Sequence, residues 1–240
     1  MIKLENYEVV GWEHAIRGMR NPKNSWERSD SGPAFDCKKC GRIEREGICE
    51  TQGRDCSEFE CFYIGPNDHT LMMNLAKGGP VHAKYRRFID VYVDITAPLY
   101  WWKEFDTYKV GTAANSCSTM HKIHAKEFTL DDFSTEHLTD GSINLLKNII
   151  SSLNDYRMLY HRCEAYGENS VNRDKKDYWW QMIQLLPSSY NQKRTVKLNY
   201  EVLANIYTWR KDHKLDEWKE LCKWIESLPY SELITGEEET

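Results

Sequence analysis

Three groups of side chains in this 240-residue chain have the types and spacing for chemistry. Cys117 lies between Ser116 and Ser118, four residues before His121 and seven before His124. A thiol beside an imidazole raises the question of nucleophilic attack, because the base can generate the reactive thiolate. A buried structural cysteine is the plainer alternative. Five of the eight cysteines crowd into Cys37–Cys61, a stretch rich in glycine and charge. There Cys37 and Cys40 form a Cys-x2-Cys followed by glycine, which resembles a zinc knuckle. Cys56 and Cys61 would complete four thiolate ligands, with Cys49 as the spare or substitute. Disulfides compete with this reading, yet no secretion signal is visible and an odd count leaves a free thiol, so structural zinc holding an insertion is favoured. The third group is Arg210. It ends the apolar and aromatic run NYEVLANIYTWR, where a charge needs a partner or a ligand.

The elements that must position these groups follow from pattern. Ile89–Ile95 alternates apolar and polar residues and is rich in β-branched ones, which predicts a half-buried strand that Pro98 ends or bends. Trp101–Lys109 reads as a helix. From Gly111 to Thr119 only small side chains occur, so backbone amides and hydroxyls can approach a ligand closely; a plain loop would look similar. A β-type segment over Tyr7–Trp12 opens the chain, and a short helix or turn carries Arg17 and Arg20. The Cys-rich insertion occupies about Glu27–Tyr63. Helices are predicted over Asp68–Lys77, Ser142–Cys163, Asp177–Leu186, Asn199–Arg210 and Lys214–Ser227, with Pro187 as a break. In the longest of them Ile143, Leu146, Ile150, Leu153, Tyr156, Tyr160 and Cys163 recur at helical spacing. Trp179, Trp180, Trp218 and Trp224 read as packing residues or subunit contacts.

Helices around few strands give an α/β or α+β class, and 40% hydrophobic residues suffice for a single domain over 1–240. No apolar run approaches a membrane-spanning length. The net charge of −5 argues against a general nucleic-acid binder. A soluble, cytoplasmic protein is expected, with the acidic end Gly236–Thr240 frayed.

The spacing of several motifs resembles the flavin-dependent thymidylate synthases. In that family an apolar strand ends in proline, followed by Arg-His-Arg, a small-residue stretch with Asn, and Ser-x-Arg-Tyr. Here Pro98 matches the proline, Thr107-Tyr108-Lys109 stand at Arg-His-Arg, and Asn115, Ser118, Met120 and His121 follow with one residue inserted. Upstream, Gly79-Pro80-Val81-His82 looks like a stretched Gly-His pair. Downstream, Leu186-Pro187, Asn199, Asn205 and Arg210 keep the family's intervals without a gap.

The resemblance implies the family's α+β fold, with a central antiparallel-type sheet and long helices, built as a homotetramer with sites at subunit boundaries. It implies methylation of a pyrimidine nucleotide such as dUMP, with FAD as cofactor and methylenetetrahydrofolate as co-substrate. By matching position, Arg210 and Ser118 would touch the pyrimidine nucleotide and serve as the catalytic candidates. His82, Lys109, Asn115, Asn199 and Asn205 would contact the cofactor. The departures concern charge. Thr107, Met120, Ile183 and Glu201 stand where the family has arginines, and only Lys109 keeps a positive charge in the tripeptide. A hydrogen bond to a charged group contributes about 1.5–3 kcal/mol, so four such losses weaken a phosphorylated ligand by several kcal/mol. Lys84, Arg86, Arg87, Lys103 and Lys122 cluster around the same motifs and could reach phosphates from other backbone positions; a solvated charged surface is the plainer alternative. A catalytically altered nucleotide- or flavin-binding protein on the same fold is the alternative, and a zinc-organised or nucleic-acid-associated module is a third.

Overall fold

The computed structural model describes residues 2–35, 60–166 and 174–236. Its strands are β1 (Lys3–Val10), β2 (Gly32–Phe35), β3 (Glu60–Tyr63), β4 (Asp90–Pro98), β5 (Ala113–Ser116) and β6 (Asn191–Asn199). Its α-helices are α1 (Trp12–Arg20), α2 (Pro66–Lys77), α3 (Leu99–Phe105), α4 (Asp140–Tyr166), α5 (Lys175–Leu185), α6 (Tyr200–Arg210), α7 (Asp216–Glu226) and α8 (Glu232–Thr235). The chain divides into two compact units. One holds Met1–Glu8, Tyr92–Lys197 and Trp209–Trp224, the other Val9–Val91, Leu198–Thr208 and Ile225–Thr240. No helix among the described residues is long and apolar enough to cross a membrane.

The first unit is organised by a four-stranded sheet in the order β1-β4-β6-β5, whose β5 and β6 run antiparallel with Asn115 opposite Thr195. The alternation expected of β4 is present: Val93, Ile95 and Ala97 are buried, while Tyr92, Asp94 and Thr96 face the other way. Pro98 ends the strand because it has no N–H to give the ladder, and it then serves as the N-cap of α3. That helix begins two residues earlier than the Trp-rich segment suggests and stops at Phe105. Trp101, Trp102 and Phe105 are buried in it, with Trp101 against Trp218 at 4.8 Å between ring centroids. Trp218 is thus a packing residue, as its setting in the sequence suggests.

On the helical side, α4 lays Leu146, Ile150 and Leu153 against Met182 of α5 and against Ile123, Phe128 and Phe133 of the preceding loop. Tyr156 and Tyr160 extend the same stripe, and Cys163 is buried farther along the helix. The 3.6-residue period therefore identifies the buried face of this helix correctly. Strand β6 has no counterpart among the expected elements. Its sequence NQKRTVKLN carries four charged or amide side chains among its first four residues, which hides the alternation of buried Gln192, Val196 and Leu198. The small-residue stretch after Gly111 likewise contains a strand, β5, exposed along its whole length at the sheet edge.

In the second unit α1 buries Trp12, Ala15, Ile16 and Met19, one helical face. Gly11 precedes it with φ of 96°, and a Cβ there would stand 2.0 Å from the Phe88 carbonyl oxygen, so only glycine fits. A buried ion pair joins α1 to α2: Arg20 Nε donates to Asp68 Oδ1 at 2.6 Å. Arg20 also donates to the carbonyls of Ser25 and Arg28, and Asp68 Oδ2 accepts from Ser29 Oγ, Ser31 Oγ and the Asp30 amide. Asp30 in turn accepts the Asn67 and Asp68 amides at the start of α2. This polar knot sits beside the antiparallel ladder of β2 and β3, Gly32 opposite Tyr63. Cys37, Cys40, Cys49 and Cys56 lie outside the described residues; Cys61 occupies β3 opposite Ala34.

Candidate functional site

Ser118 and Cys117 open onto a cleft of about 490 Å³ in the first unit. Strand β6 and the residues before it supply Tyr190, Asn191, Gln192 and Lys193; β1 supplies Lys3, and β4 supplies Thr96. The loop after Ser118 adds Lys122, Ile123, Lys126 and Phe128, followed by Asp131 and Asp132. A second cleft of about 640 Å³ adjoins it through Cys117 and Lys193, along β5 and the sheet face of Tyr92, Asn115, Thr195 and Lys197.

The wall is held firmly. The Cys117 amide donates to the Lys193 carbonyl at 2.9 Å, and Gln192 Nε2 donates to the Cys117 carbonyl at 2.9 Å. Ser118 Oγ accepts the amides of Met120 and His121, which closes a tight turn and leaves the hydroxyl proton free to donate. Helix α4 clamps the rest of the loop. Asn154 makes two bonds to the Phe128 backbone, and Arg157 Nε and His161 Nε2 both donate to the His124 carbonyl. The His124 ring packs on Tyr160 at 4.3 Å, and no imidazole bonds to the exposed Cys117 thiol among the described residues. The juxtaposition that a thiol nucleophile would need is therefore not formed here.

Charge in the cleft is unevenly spent. Lys126 is paired with Asp132, whose hydrogen bond raises the ammonium pKa. Lys193 reaches Asp94 at 3.2 Å and Glu5 at 3.6 Å, and its pKa is also raised, first by the bond to Asp94. Hydrogen bonds from Thr195, Asn6 and Lys193 hold the Asp94 carboxyl down at about 2. Lys3, Lys122 and Asp131 have no ion pair among the described residues. Tyr190 packs its ring against Phe133 at 5.6 Å, and burial pushes its phenol up, against the pull of Lys126. The hydroxyl has no hydrogen-bond partner among the described residues, so a neutral donor faces the cleft. The arrangement suits an anionic ligand with a flat apolar part.

The other sequence candidates take varied places. Arg210 finds its partner in protein: Nη1 donates to Glu104 Oε2 at 3.0 Å, Nε donates to the Tyr108 hydroxyl at 2.9 Å, and the guanidinium lies over Trp218 at 4.7 Å. Tyr108 is the middle residue of the Thr107-Tyr108-Lys109 tripeptide, which forms the turn ending α3; Lys109 itself is exposed. Asn115 is exposed on β5 and lines the second cleft. In the second unit Asn199 is buried and its Oδ1 accepts the Val202 amide at 3.1 Å, an N-cap of α6. Asn205 is exposed on that helix. His82 is exposed in a turn closed by its own amide to the Gly79 carbonyl. Nearby, Arg86 Nε and Glu201 Oε2 are buried without a hydrogen-bond partner among the described residues. Sequence reasoning missed Lys3, Lys126, Tyr190 and Lys193 as site residues; only the alternation of Gln192, Val196 and Leu198 could have found the strand carrying Lys193, and the charged and amide side chains around it hide that signal.

No family model matches the chain, and no curated protein matches it. Solved structures do. The flavin-dependent thymidylate synthase ThyX from Helicobacter pylori, in complex with FAD and dUMP, superposes with a TM-score of 0.58 at 15% identity, covering 98% of both chains. A second structure of ThyX from Helicobacter pylori with FAD and dUMP gives 0.56 at 15% identity over 98% of this chain and 97% of that one. The chain has a ThyX-like mixed helix and sheet fold.

Proposed function

We propose that this chain is a divergent flavin-dependent thymidylate synthase-like protein that binds a pyrimidine nucleotide of the dUMP class in the lysine-lined cleft. The observation that carries the reading is that Ser118, the residue at the family's nucleotide-binding serine, opens onto a cleft with Lys3, Lys122, Lys126 and Lys193. Lysines could there do the work of the absent arginines, since a point charge also binds phosphate. The fold common with ThyX, whose structures hold FAD and dUMP, supports it.

The candidates for FAD contacts are Lys109 and Asn115 in the first unit and, separately, His82 and Asn205 in the second, all exposed. Asn199 is already committed to its helix cap. Arg86 Nε, buried without a hydrogen-bond partner among the described residues, would suit an anionic group. When bound, reduced flavin supplies the carbon-unit transfer from methylenetetrahydrofolate and the hydride; the protein's share is to orient the base and stabilise developing charge. A homotetramer in the cytoplasm belongs to this reading. Zinc at Cys37, Cys40, Cys56 and Cys61 is a separate proposal, tested by metal stoichiometry of the purified protein.

The test is a visible absorption spectrum with added FAD, followed by turnover. A flavin band that bleaches on reduction and recovers with methylenetetrahydrofolate and dUMP, with dTMP formed, is the expected result. A colourless protein that ignores FAD overturns the synthase reading. One observation favours the second reading, a nucleotide binder without methyl transfer: Arg210 is engaged by Glu104. That reading expects dUMP binding with no dTMP.

A further inference from the structure

Which groups in the cleft are free to meet a ligand follows from its ion pairs. Lys126 and Lys193 spend their charge on Asp132 and on Asp94 with Glu5. Lys3, on the first residue of β1, and Lys122, in the loop after Ser118, spend theirs on nothing among the described residues. Both line the same cleft. A phosphomonoester carries close to two negative charges near neutral pH, which two ammonium groups match. The Ser118 hydroxyl proton, free because its oxygen receives two amides, can add a hydrogen bond. Ile123, Phe128 and Tyr190 give the cleft an apolar side for a planar ring. Asp131 lines it too, is exposed, and forms no ion pair among the described residues. A longer phosphate chain would bring more negative charge into a cleft that holds this carboxylate.

We propose that Lys3 and Lys122 are the phosphoryl-binding groups of this cleft, and that Asp131 makes it prefer a phosphomonoester to a triphosphate. The assignment rests on the nucleotide reading of the same cleft and adds to it the residues that set phosphate number.

The experiment is calorimetric titration of the full chain, at one fixed ionic strength, with dUMP, dUTP, phenyl phosphate and inorganic phosphate. Lys3→Ala and Lys122→Ala are each expected to weaken dUMP about tenfold or more, as loss of a charge-assisted bond does. Lys147→Ala, an exposed lysine of α4 outside the cleft, should bind as the wild type does. Asp131→Asn should narrow the gap between dUMP and dUTP several-fold. Wild-type dUMP binding that both lysine variants retain overturns the lysine assignment while the nucleotide reading stands. Phenyl phosphate binding that needs both lysines, with no preference for dUMP, upholds the assignment and overturns the pyrimidine reading. Wild-type binding of dUTP as tight as dUMP overturns the role of Asp131. Binding of none of the four overturns both proposals.

Discussion

Glu104 and Arg210, 106 residues apart in the chain, meet at 3.0 Å, and the same carboxylate oxygen also accepts Trp218 Nε1 at 2.9 Å. His213 stands 3.6 Å from it. One acid thus answers a cation and a buried indole together, next to the aromatic cluster of Trp101, Phe105 and Tyr108. Removing it leaves several donors unpaired, which costs more than the loss of one bond.

Glu104→Ala should therefore lower stability by about 2–3 kcal/mol and Glu104→Gln by about half of that, since glutamine keeps an acceptor oxygen. Equilibrium urea unfolding measures both. Equal midpoints for wild type and Glu104→Ala would dispose of the shared-acceptor account.

The buried pair of Arg20 and Asp68 should carry a pH signature. Burial pushes the Asp68 carboxyl up, but bonds from Ser31, Ser29, Arg20 and the Asp30 amide outweigh it and hold its pKa below the ordinary 3.8. A depressed folded-state value means that the contribution is whole above 3.8 and is lost as pH falls below it. Asp68→Ala should cost about 3–5 kcal/mol at neutral pH, because Arg20 is left buried and uncompensated. Thermal unfolding between pH 2 and 7 should show a smaller acid-induced drop in the variant than in the wild type.

Asn199 is a helix cap by its geometry, and the cofactor role proposed for it can be separated from that cap. Asn199→Ala should cost about 0.5–2 kcal/mol. Asn199→Asp keeps the acceptor and should restore most of that stability. If FAD affinity falls in both variants while Asn199→Asp remains as stable as wild type, the cap is not the residue's whole role.

Tyr190→Phe removes a hydroxyl that has no protein partner among the described residues, so stability should change by less than about 0.5 kcal/mol. Affinity for dUMP should fall about two- to tenfold, the range for one neutral hydrogen bond. Unchanged affinity places the hydroxyl away from the ligand.

Several features were readable from local pattern. The buried stripe of α4, the alternation of β4 with its stop at Pro98, and the demand of Arg210 for a partner all follow from residue types at fixed spacings, because helix and strand periods act over a few residues. The motif intervals from Pro98 to Arg210 pointed to the fold that the ThyX structures bear out. What the sequence left open is what long-range contact decides. Glu104 as the partner of Arg210 lies more than a hundred residues away, and Lys3 enters the Ser118 cleft only because β1 joins the same sheet as β4 and β6. Charges mask β6 until its neighbours bury alternate side chains. Which lysines remain free is set by where the carboxylates of Glu5, Asp94 and Asp132 come to rest, and the folded chain alone determines that.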